Sequence, residues 1–371
     1  MKNPDPHDFL ALEQLMDEEE RMVARTVREL VTEQLAPQLG DWFEKGEFPR
    51  ELATEFGKLG MLGMHLSGYG CAGMSAVSYG SACLELEAGD SGLRSFVSVQ
   101  GSLAMFPIWK FGSEEQKQEW LPRMAAGEVI GCFGLTEPDS GSDPSSMRTV
   151  ARQDGDDWIL NGTKMWITNG SIADMAIIWA RTDEGIRGFI VDTTTPGFTA
   201  NTVRHKMSLR AVLPGVTGMK GPLSCLNEAR FGILFGAVGA ARNCYETALD
   251  YTMSRTQFGR SLASFQLTQD KLADMLIRVN RAHLLALHLG KLKDAGELTP
   301  AQISFGKKDN VAQALHVARE ARAMLGANGI TLEYPIIRHM NNLESVYTYE
   351  GTNEVHTLVL GQSITGMGAF R

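Results

Sequence analysis

The spacing of apolar residues predicts helices in the first third of the chain. The residues at helical spacing are Met22, Val23, Val27, Leu30, Val31 and Leu35, followed by Leu52, Phe56, Leu59 and Leu62. An apolar residue every three to four positions forms one face of an amphipathic helix that packs on a core. We therefore predict that residues 1–132 form an N-terminal all-helical domain.

The pattern then changes to short runs of β-branched and aromatic residues. The runs are WIL at 158–160, MWIT at 165–168, AIIWA at 176–180 and GFIV at 188–191. Glycine-containing turns separate them, at Asp154-Gly155, Asn161-Gly162, Asn169-Gly170 and Pro196-Gly197. Such runs between turn residues are typical of strands. Residues 133–220 are predicted to form a middle β domain that resembles a barrel.

Helical spacing returns after Pro222 over long spans, at roughly 225–255, 264–296 and 300–326, with a shorter helix from about Asn353. The apolar face of the second span consists of Leu272, Met275, Leu276, Val279, Ala282 and Leu285. Long helices with one apolar face each are what a bundle requires. Residues 221–371 are therefore predicted to form a C-terminal four-helix bundle, which makes the whole chain a multi-domain α+β protein.

Composition and charge exclude several classes of protein. The 371 residues are 43% hydrophobic and 21% charged, which is unlike a disordered chain. A net charge of −9 without a run of Lys or Arg argues against nucleic acid as a partner. The least charged stretch, 59–84, contains His65 and many Gly and Ser residues, so we expect no membrane span.

The termini and the metal-ligand residue types add two further expectations. The N-terminal stretch is acidic and has neither a signal-peptide core nor a transit-peptide bias. A cytoplasmic location is therefore expected, or the mitochondrial matrix for a processed organellar chain. The five cysteines lie far apart without a CxxC pair, and the histidines form no HExxH motif, so no metal site is predicted.

Two segments near the middle domain suggest binding of a flat ring or a diphosphate. GLTEPDSGSD at 134–143 is crowded with small and hydroxyl residues whose backbone donors would be exposed. MWITN at 165–169 places a tryptophan beside a threonine hydroxyl on a predicted strand. Each has a simpler interpretation, a plain connecting loop for the first segment and a core tryptophan for the second.

Two segments of the C-terminal region also carry candidate chemistry. In RTQFG at 255–259, followed by Gln266, the arginine could contact a diphosphate and the phenylalanine a purine. The alternative is a helix C-cap with Gly259 in the left-handed conformation. In YEGT at 349–352, a carboxylate precedes a glycine turn and a new helix. A glutamate there could equally be a partner of the helix macrodipole.

Taken together, these segments resemble the acyl-CoA dehydrogenase family of flavoenzymes. The resemblance rests on CFGLTEPDSGSD, KMWITN, RTQFG with Gln266, MLGANGI at 324–330 and YEGT, in this order and on a helix–sheet–helix plan. It covers nearly the whole chain. DSGLRS at 90–95, GPLSCLNEAR at 221–230 and RHMNNLESVYTYEGT at 338–352 are similar to stretches of the glutaryl-CoA dehydrogenases within that family.

The resemblance implies a site for FAD and a catalytic base. Removing a proton alpha to a thioester requires a positioned base, and Glu350 matches the family's base. The family's FAD-binding positions fall on Phe133, Leu135, Thr136, Ser142, Trp166, Thr168, Arg255, Phe258, Gln266, Leu325, Gly326, Thr352 and Glu354. Because the residues at the adenine-diphosphate end come from a neighbouring subunit in the family, a homotetramer is implied.

The resemblance also implies a substrate. Arg94 and Ser95 match the position that recognises the distal carboxylate of glutaryl-CoA, for which arginine offers a permanently charged fork. The other substrate-binding positions fall on Glu87, Ser142, Asn227, Arg230, Tyr349 and Gly351. The implied reaction is oxidation and decarboxylation of glutaryl-CoA to crotonyl-CoA, with electrons passed to an electron-transfer flavoprotein. A solvated helix charge is the alternative interpretation of Arg94.

Other activities remain open at this point. They are oxidation of another short or branched acyl-CoA, oxidation of glutaryl-CoA without decarboxylation, and a flavin-free acyl-CoA-binding scaffold. Three departures from the family's pattern bear on them: Leu93 replaces a tyrosine, residues 353–356 read NEVH, and about twenty residues that would hold a further strand are missing between Ala211 and Val212. An Ala211–Val212 Cα distance far above about 3.8 Å would indicate an omitted segment.

Overall fold

The computed structural model describes residues 4–203, 205–209 and 220–368, without the side chain of residue 220. Its helices are α1 Glu18–Glu29, α2 Ala36–Lys45, α3 Leu52–Lys58, α4 Ala76–Gly89, α5 Ser91–Ser98, α6 Phe106–Phe111, α7 Glu114–Ala125, α8 Lys220–Ser254, α9 Gln266–Asp294, α10 Pro300–Met324, α11 Ile336–Thr348 and α12 Asn353–Thr365. Its strands are β1 Ser67–Gly68, β2 Cys71–Ala72, β3 Gly131–Gly134, β4 Val150–Asp154, β5 Asp157–Asn161, β6 Met175–Thr182, β7 Gly185–Asp192, β8 Thr256–Gln257 and β9 Arg260–Ser261. The fold is the predicted succession of helical, sheet and helical regions.

The N-terminal helices wrap around α4, which is buried along its whole length. Two π-helical segments, Leu30–Leu35 and Val99–Met105, continue α1 and α5 without a break in the helical backbone. The predicted apolar face is confirmed for the residues from 23 to 35 and for Leu52, Phe56 and Leu62, whereas Met22 and Leu59 are exposed. Helix α5 begins at the N-cap Asp90, whose carboxylate accepts the Gly92 N–H at 2.6 Å.

The five strands β3 to β7 form one mixed sheet. Strand β6 lies at its centre and pairs with β3 in parallel and with β7 in antiparallel register. The predicted strand at 165–168 is wrong, because that segment has no regular structure and its residue Trp166 has a φ of 65°. A left-handed backbone of this kind cannot continue a strand.

The C-terminal helices α8, α9 and α10 pack together, and α8 also crosses the buried helix α4. Their observed bounds lie within a few residues of the predicted spans. The sequence analysis did not identify α11, the helix that leads directly to the YEGT segment. The proposed junction at Ala211–Val212 lies outside the described residues. No helix in the described ranges is long and apolar enough to cross a membrane.

Candidate active site

The candidate base lies on a short turn between two helices. Helix α11 ends at Thr348, and α12 begins after the N-cap Thr352, whose hydroxyl accepts the Val355 N–H. Within the turn, Glu350 has a φ of 53° and Gly351 a φ of 91°. A glutamate in the left-handed region is strained, and such strain persists only where the surroundings hold the backbone in place.

Two cations, the buried Lys307 and the half-buried Arg230, hold this turn through three consecutive carbonyl groups. The Lys307 ammonium on α10 donates to the carbonyl oxygens of Tyr349 at 3.0 Å and Gly351 at 2.8 Å. The Arg230 Nε on α8 donates to the carbonyl oxygen of Glu350 itself at 2.8 Å. The turn is therefore fixed to two helices of the bundle.

Glu350 as a whole is half-buried, but the Oε2 atom of its carboxyl group is buried and has no hydrogen-bond partner among the described residues. Desolvation raises its pKa, while the positive charges of Arg94, Arg230 and Lys307 oppose that rise. A carboxylate with an unpaired, buried oxygen can accept a proton from a bound molecule without first losing another hydrogen bond. This environment suits a general base and argues against a simple macrodipole role.

A second buried cluster lies beside the base. The Arg94 side chain on α5 is fully buried, and its Nε donates to the Glu87 carboxylate on α4 at 2.5 Å. Its Nη2 donates to the Tyr349 hydroxyl, and Ser91 Oγ donates to the second Glu87 oxygen at 2.7 Å. The interpretation of Arg94 as a solvated helix charge is therefore wrong. Burial raises the pKa of Tyr349 to about 12, so the hydroxyl remains neutral.

Glycine residues on α8 and in the turn create the space for these groups. A Cβ atom at Gly236 would lie 3.0 Å from Glu87 Cδ and 3.2 Å from Arg94 Nε, and closer still to a carboxylate oxygen. A Cβ atom at Gly351 would lie 2.9 Å from His356 Nε2. Neither position leaves room for a larger residue.

Two other candidate substrate residues border the same region. The Ser95 hydroxyl, one residue after Arg94 on α5, is buried and finds no hydrogen-bond partner in the described ranges. Asn227 lies one turn before Arg230 on α8, and its Oδ1 accepts a hydrogen bond from Arg230 Nη1 at 3.4 Å. The structure thus brings the candidate base together with Glu87, Arg94, Tyr349 and Arg230.

The loop after β3 is held rigidly at the end of the sheet. The Glu137 carboxylate accepts the Arg148 N–H at 2.6 Å, the Thr149 N–H at 2.9 Å and the Lys164 ammonium at 2.9 Å. Although burial acts in the opposite direction, these donors lower the pKa of Glu137 to about 2. The Met165 N–H donates to the Thr136 carbonyl oxygen at 3.0 Å, which brings the segment carrying Trp166 next to this loop.

The remaining candidate cofactor residues of the middle domain lie around this loop. Phe133 is buried in β3, where its ring meets the Trp179 ring edge-on at 6.3 Å, and Leu135 packs against the main core. Ser142 is exposed in the loop, and Thr168 is half-buried in the turn that follows Trp166.

The residues predicted for the adenine-diphosphate end lie on the surface of the C-terminal domain. Strands β8 and β9 form a two-residue hairpin whose central residues, Phe258 and Gly259, both have positive φ angles. Gly259 is thus a hairpin residue and not a helix C-cap. The Phe258 side chain is 94% exposed, and Arg255 and Gln266 flank the hairpin on its surface.

The other residues of this set lie at helix ends. Leu325 is the buried C-cap of α10, and the following Gly326 has a φ of 60° with open space around it. Glu354 is exposed in the first turn of α12, directly after the N-cap Thr352. No hydrogen bond joins these residues to the Thr136 loop within the described part of the chain.

The described residues fit a flavin. Trp166 remains 53% exposed although its backbone is in the strained left-handed region. An aromatic ring held at the surface in this way is suited to lie against a flat ring system. The neighbouring Thr136 and Thr168 can provide backbone and hydroxyl hydrogen bonds to its polar edge.

The sequence analysis missed two residues that shape the site. Gly236 was not singled out, because α8 contains several glycines and their pattern alone does not indicate which one faces an ion pair. Lys307 was also missed, although Ile303, Asn310 and Ala314 place it on the buried stripe of α10. A lysine in line with buried positions of a helix indicates a buried charge with a specific partner, and this could have identified Lys307.

Family models and solved structures agree on what this chain resembles. Three models described as acyl-CoA dehydrogenase match it, the N-terminal domain at residues 17–128, the middle domain at 132–215 and the C-terminal domain at 217–365. A crystal structure of glutaryl-CoA dehydrogenase from Mycobacterium smegmatis is 61% identical, with a TM-score of 0.97 over 99% of this chain and 100% of that one.

Two further relatives bear on cofactor and substrate. A glutaryl-CoA dehydrogenase from Mycobacterium smegmatis in complex with FADH2 is 58% identical, with a TM-score of 0.97 over 99% of this chain and all of that one. The human mitochondrial short-chain specific acyl-CoA dehydrogenase is 34% identical over 370 residues, which cover 93% of this chain and 90% of that protein. The relatives thus agree on the reaction class but differ in the acyl group that their names specify.

Proposed function

The chain belongs to the acyl-CoA dehydrogenase family, whose members use FAD, and we propose that its substrate is glutaryl-CoA, which it oxidises and decarboxylates to crotonyl-CoA. The observation that carries this proposal is the buried Arg94, paired with Glu87 and Tyr349 beside the base Glu350. An arginine inside a pocket for a purely hydrocarbon acyl chain would have no partner on the substrate.

The hydrogen bonding of Arg94 favours a substrate with a second carboxylate. Its Nε donates to Glu87 and its Nη2 to the Tyr349 hydroxyl. The Nη1 atom of Arg94 makes no hydrogen bond within the described residues, so it remains available to the distal carboxylate of glutaryl-CoA.

The proton steps follow from the position of Glu350. Its carboxylate removes a proton from the carbon alpha to the thioester. FAD, held by the Thr136 loop and Trp166, would supply the acceptor for the beta hydrogen. Arg94 holds the distal carboxylate in place while the carbon–carbon bond to it breaks and CO2 leaves. The electron pair of that bond is delocalised into the thioester, and protonated Glu350 returns a proton to the gamma carbon, which gives crotonyl-CoA.

The proposal extends to FAD contacts and assembly. Phe133, Leu135, Thr136, Ser142, Trp166 and Thr168 would hold the flavin end, and Arg255, Phe258, Gln266, Leu325, Gly326, Thr352 and Glu354 the adenine-diphosphate end, partly across a subunit boundary. The exposed Phe258 side chain is available for contact with a second subunit, as the homotetramer would require. An electron-transfer flavoprotein is the proposed electron acceptor.

The test begins with the visible spectrum of the purified holoenzyme under anaerobic conditions. Glutaryl-CoA is expected to bleach the flavin, and mass spectrometry of the same mixture is expected to find crotonyl-CoA. Glu350→Gln should abolish bleaching, whereas Glu344→Gln, an exposed position on α11, should leave it unchanged. Accumulation of glutaconyl-CoA instead would show oxidation without decarboxylation.

A second candidate is a dehydrogenase for a short unsubstituted acyl-CoA, which the name of the human relative favours. Butyryl-CoA is the matched probe because it differs from glutaryl-CoA by the distal carboxylate. Under the leading proposal, Arg94→Met lowers kcat/KM for glutaryl-CoA by roughly 30-fold or more, as for truncation of one partner of a buried charge pair. Equal losses for both substrates would favour the second candidate.

A further inference from the structure

We propose that Lys307 is a positioning residue for the catalytic base, fixing the turn that carries Glu350 and favouring its ionised form. The inference rests on the proposed function, in which Glu350 removes the substrate proton. An ammonium group has three donors, and Lys307 uses two of them on the carbonyl oxygens on either side of Glu350, at 3.0 Å and 2.8 Å. The proposed reaction steps involve Glu350 and Arg94 but not Lys307.

The burial of Lys307 makes its hydrogen bonds to the turn important, because water cannot replace them. Its side chain is 1% exposed, and desolvation lowers its pKa to about 7. The charged groups that face it are Glu350, Arg230, Arg94 and Glu354. A lysine buried beside two arginines is unfavourable unless specific acceptors offset the lost hydration, and here the turn provides them.

The backbone conformation of Glu350 explains why such support is needed. Its φ of 53° lies in a region that residues other than glycine rarely occupy. Lys307 and Arg230 together occupy the carbonyl groups of residues 349, 350 and 351, which leaves the turn little freedom. Loss of Lys307 would release two of the three carbonyls and allow the carboxylate to move away from the substrate carbon.

The charge of Lys307 acts in the same direction as its hydrogen bonds. The groups that face Glu350 are Arg94, Arg230 and Lys307, which favour its ionised form, and Glu87, which opposes it. Below pH 7 Lys307 is mostly protonated, because its pKa is about 7, so its removal takes away a positive charge and should raise the pKa of Glu350 further. The acid limb of the pH–rate profile should then move to higher pH, since the base must be ionised to act.

The neighbouring Lys308 provides a matched control. It lies on the same helix and is half-buried, but its ammonium donates to the Asn353 side chain at 3.1 Å and not to the turn. We expect Lys307→Met in the holoenzyme to lower kcat by on the order of 10- to 100-fold, as for a displaced catalytic group, with little change in KM. The acid limb should shift upward in this variant, whereas Lys308→Met should retain the wild-type profile.

Lys307→Gln is the second variant, used if Lys307→Met does not fold or bind flavin, because it keeps donors but removes the charge. An upward shift of the acid limb in either variant supports the proposal. An unmoved acid limb overturns it, whether or not kcat is lowered, since a merely structural lysine would not change the titration of the base.

A substrate analogue separates this test from the proposed function. In 3-thiaglutaryl-CoA a sulfur replaces the beta carbon, so no hydride can leave and only the alpha proton can exchange. In D2O, the wild-type enzyme is expected to exchange this proton and Lys307→Met to exchange it on the order of tenfold more slowly. A wild-type protein that neither exchanges this proton nor oxidises any acyl-CoA would overturn the proposed function itself, whereas equal exchange by both proteins would overturn only the role of Lys307.

Discussion

Gly236→Ala tests whether the space on α8 is what allows the buried ion pair of the proposed substrate pocket. The added methyl group would lie 3.0 Å from Glu87 Cδ, closer still to the carboxylate oxygen, and 3.2 Å from Arg94 Nε. The carboxylate cannot move away cheaply, because Arg94 at 2.5 Å and Ser91 at 2.7 Å hold its two oxygens. The substitution therefore forces the pair apart.

Two opposing contributions set the size of the effect on stability. Alanine in place of glycine in a helix interior is favourable by about 1 kcal/mol. Overpacking a buried site typically costs about 1–3 kcal/mol, and separating a buried ion pair adds to that cost. We expect a net loss of about 2 kcal/mol, or roughly a 30-fold lower ratio of folded to unfolded protein.

The effect on catalysis should depend on the substrate. Because Arg94 would be displaced, kcat/KM for glutaryl-CoA should fall by roughly 30- to 100-fold, as expected when a buried charge pair loses its geometry. Butyryl-CoA has no distal carboxylate, so its kcat/KM should change much less. The ratio of the two values is measured by anaerobic flavin reduction with each substrate.

The control is Gly361→Ala on α12, where an added methyl group would meet no atom within 4 Å. That variant should keep the wild-type substrate ratio and a stability equal to or above that of the wild type. If Gly236→Ala folded normally and kept the wild-type ratio, the argument that Arg94 and Glu87 determine substrate choice would fail.

Three other substitutions give separate tests. Both ring nitrogens of His65 are buried without a hydrogen-bond partner among the described residues, and burial lowers its pKa to about 4. The wild type should therefore lose stability as pH falls from about 6.5 to 4, and His65→Leu should remove this loss, as measured by thermal midpoints across the range. Gly351→Ala should lower kcat by roughly 100-fold while FAD absorbance is retained, because a φ of 91° and the nearby His356 leave no room for a side chain. Phe258→Ser should weaken subunit association and FAD retention together, as measured by light scattering and flavin absorbance; a wild-type mass and flavin content would contradict the proposed subunit contact.

The sequence predicted the order of the three regions because each kind of element has its own apolar period. The long helices α8, α9 and α10 were found within a few residues of their ends, since an amphipathic period is sustained over many turns. The segment at 165–168 was misassigned because β-branched and aromatic residues also occur in irregular segments. The left-handed backbone of Trp166 is fixed by its surroundings and leaves no trace in residue type.

The candidate base and the buried arginine could be proposed from sequence because they lie in motifs that the family resemblance identified. Their environment could not, because burial and pairing arise between residues far apart in the chain. Arg94 pairs with Glu87 and also donates to Tyr349, which lies 255 positions later in the chain. Only the packing of α4, α5 and the end of α11 brings the three residues together.

By itself, then, the sequence determined the order of the three regions, the approximate spans of α8, α9 and α10, and the candidate base. The tertiary structure alone decided that a carboxylate oxygen of Glu350 is buried, that Lys307 supports its turn, and that Gly236 leaves room for an ion pair. The physical reason is that the pKa and orientation of a side chain depend on solvent exclusion and on neighbouring charges, and both are properties of the packed chain.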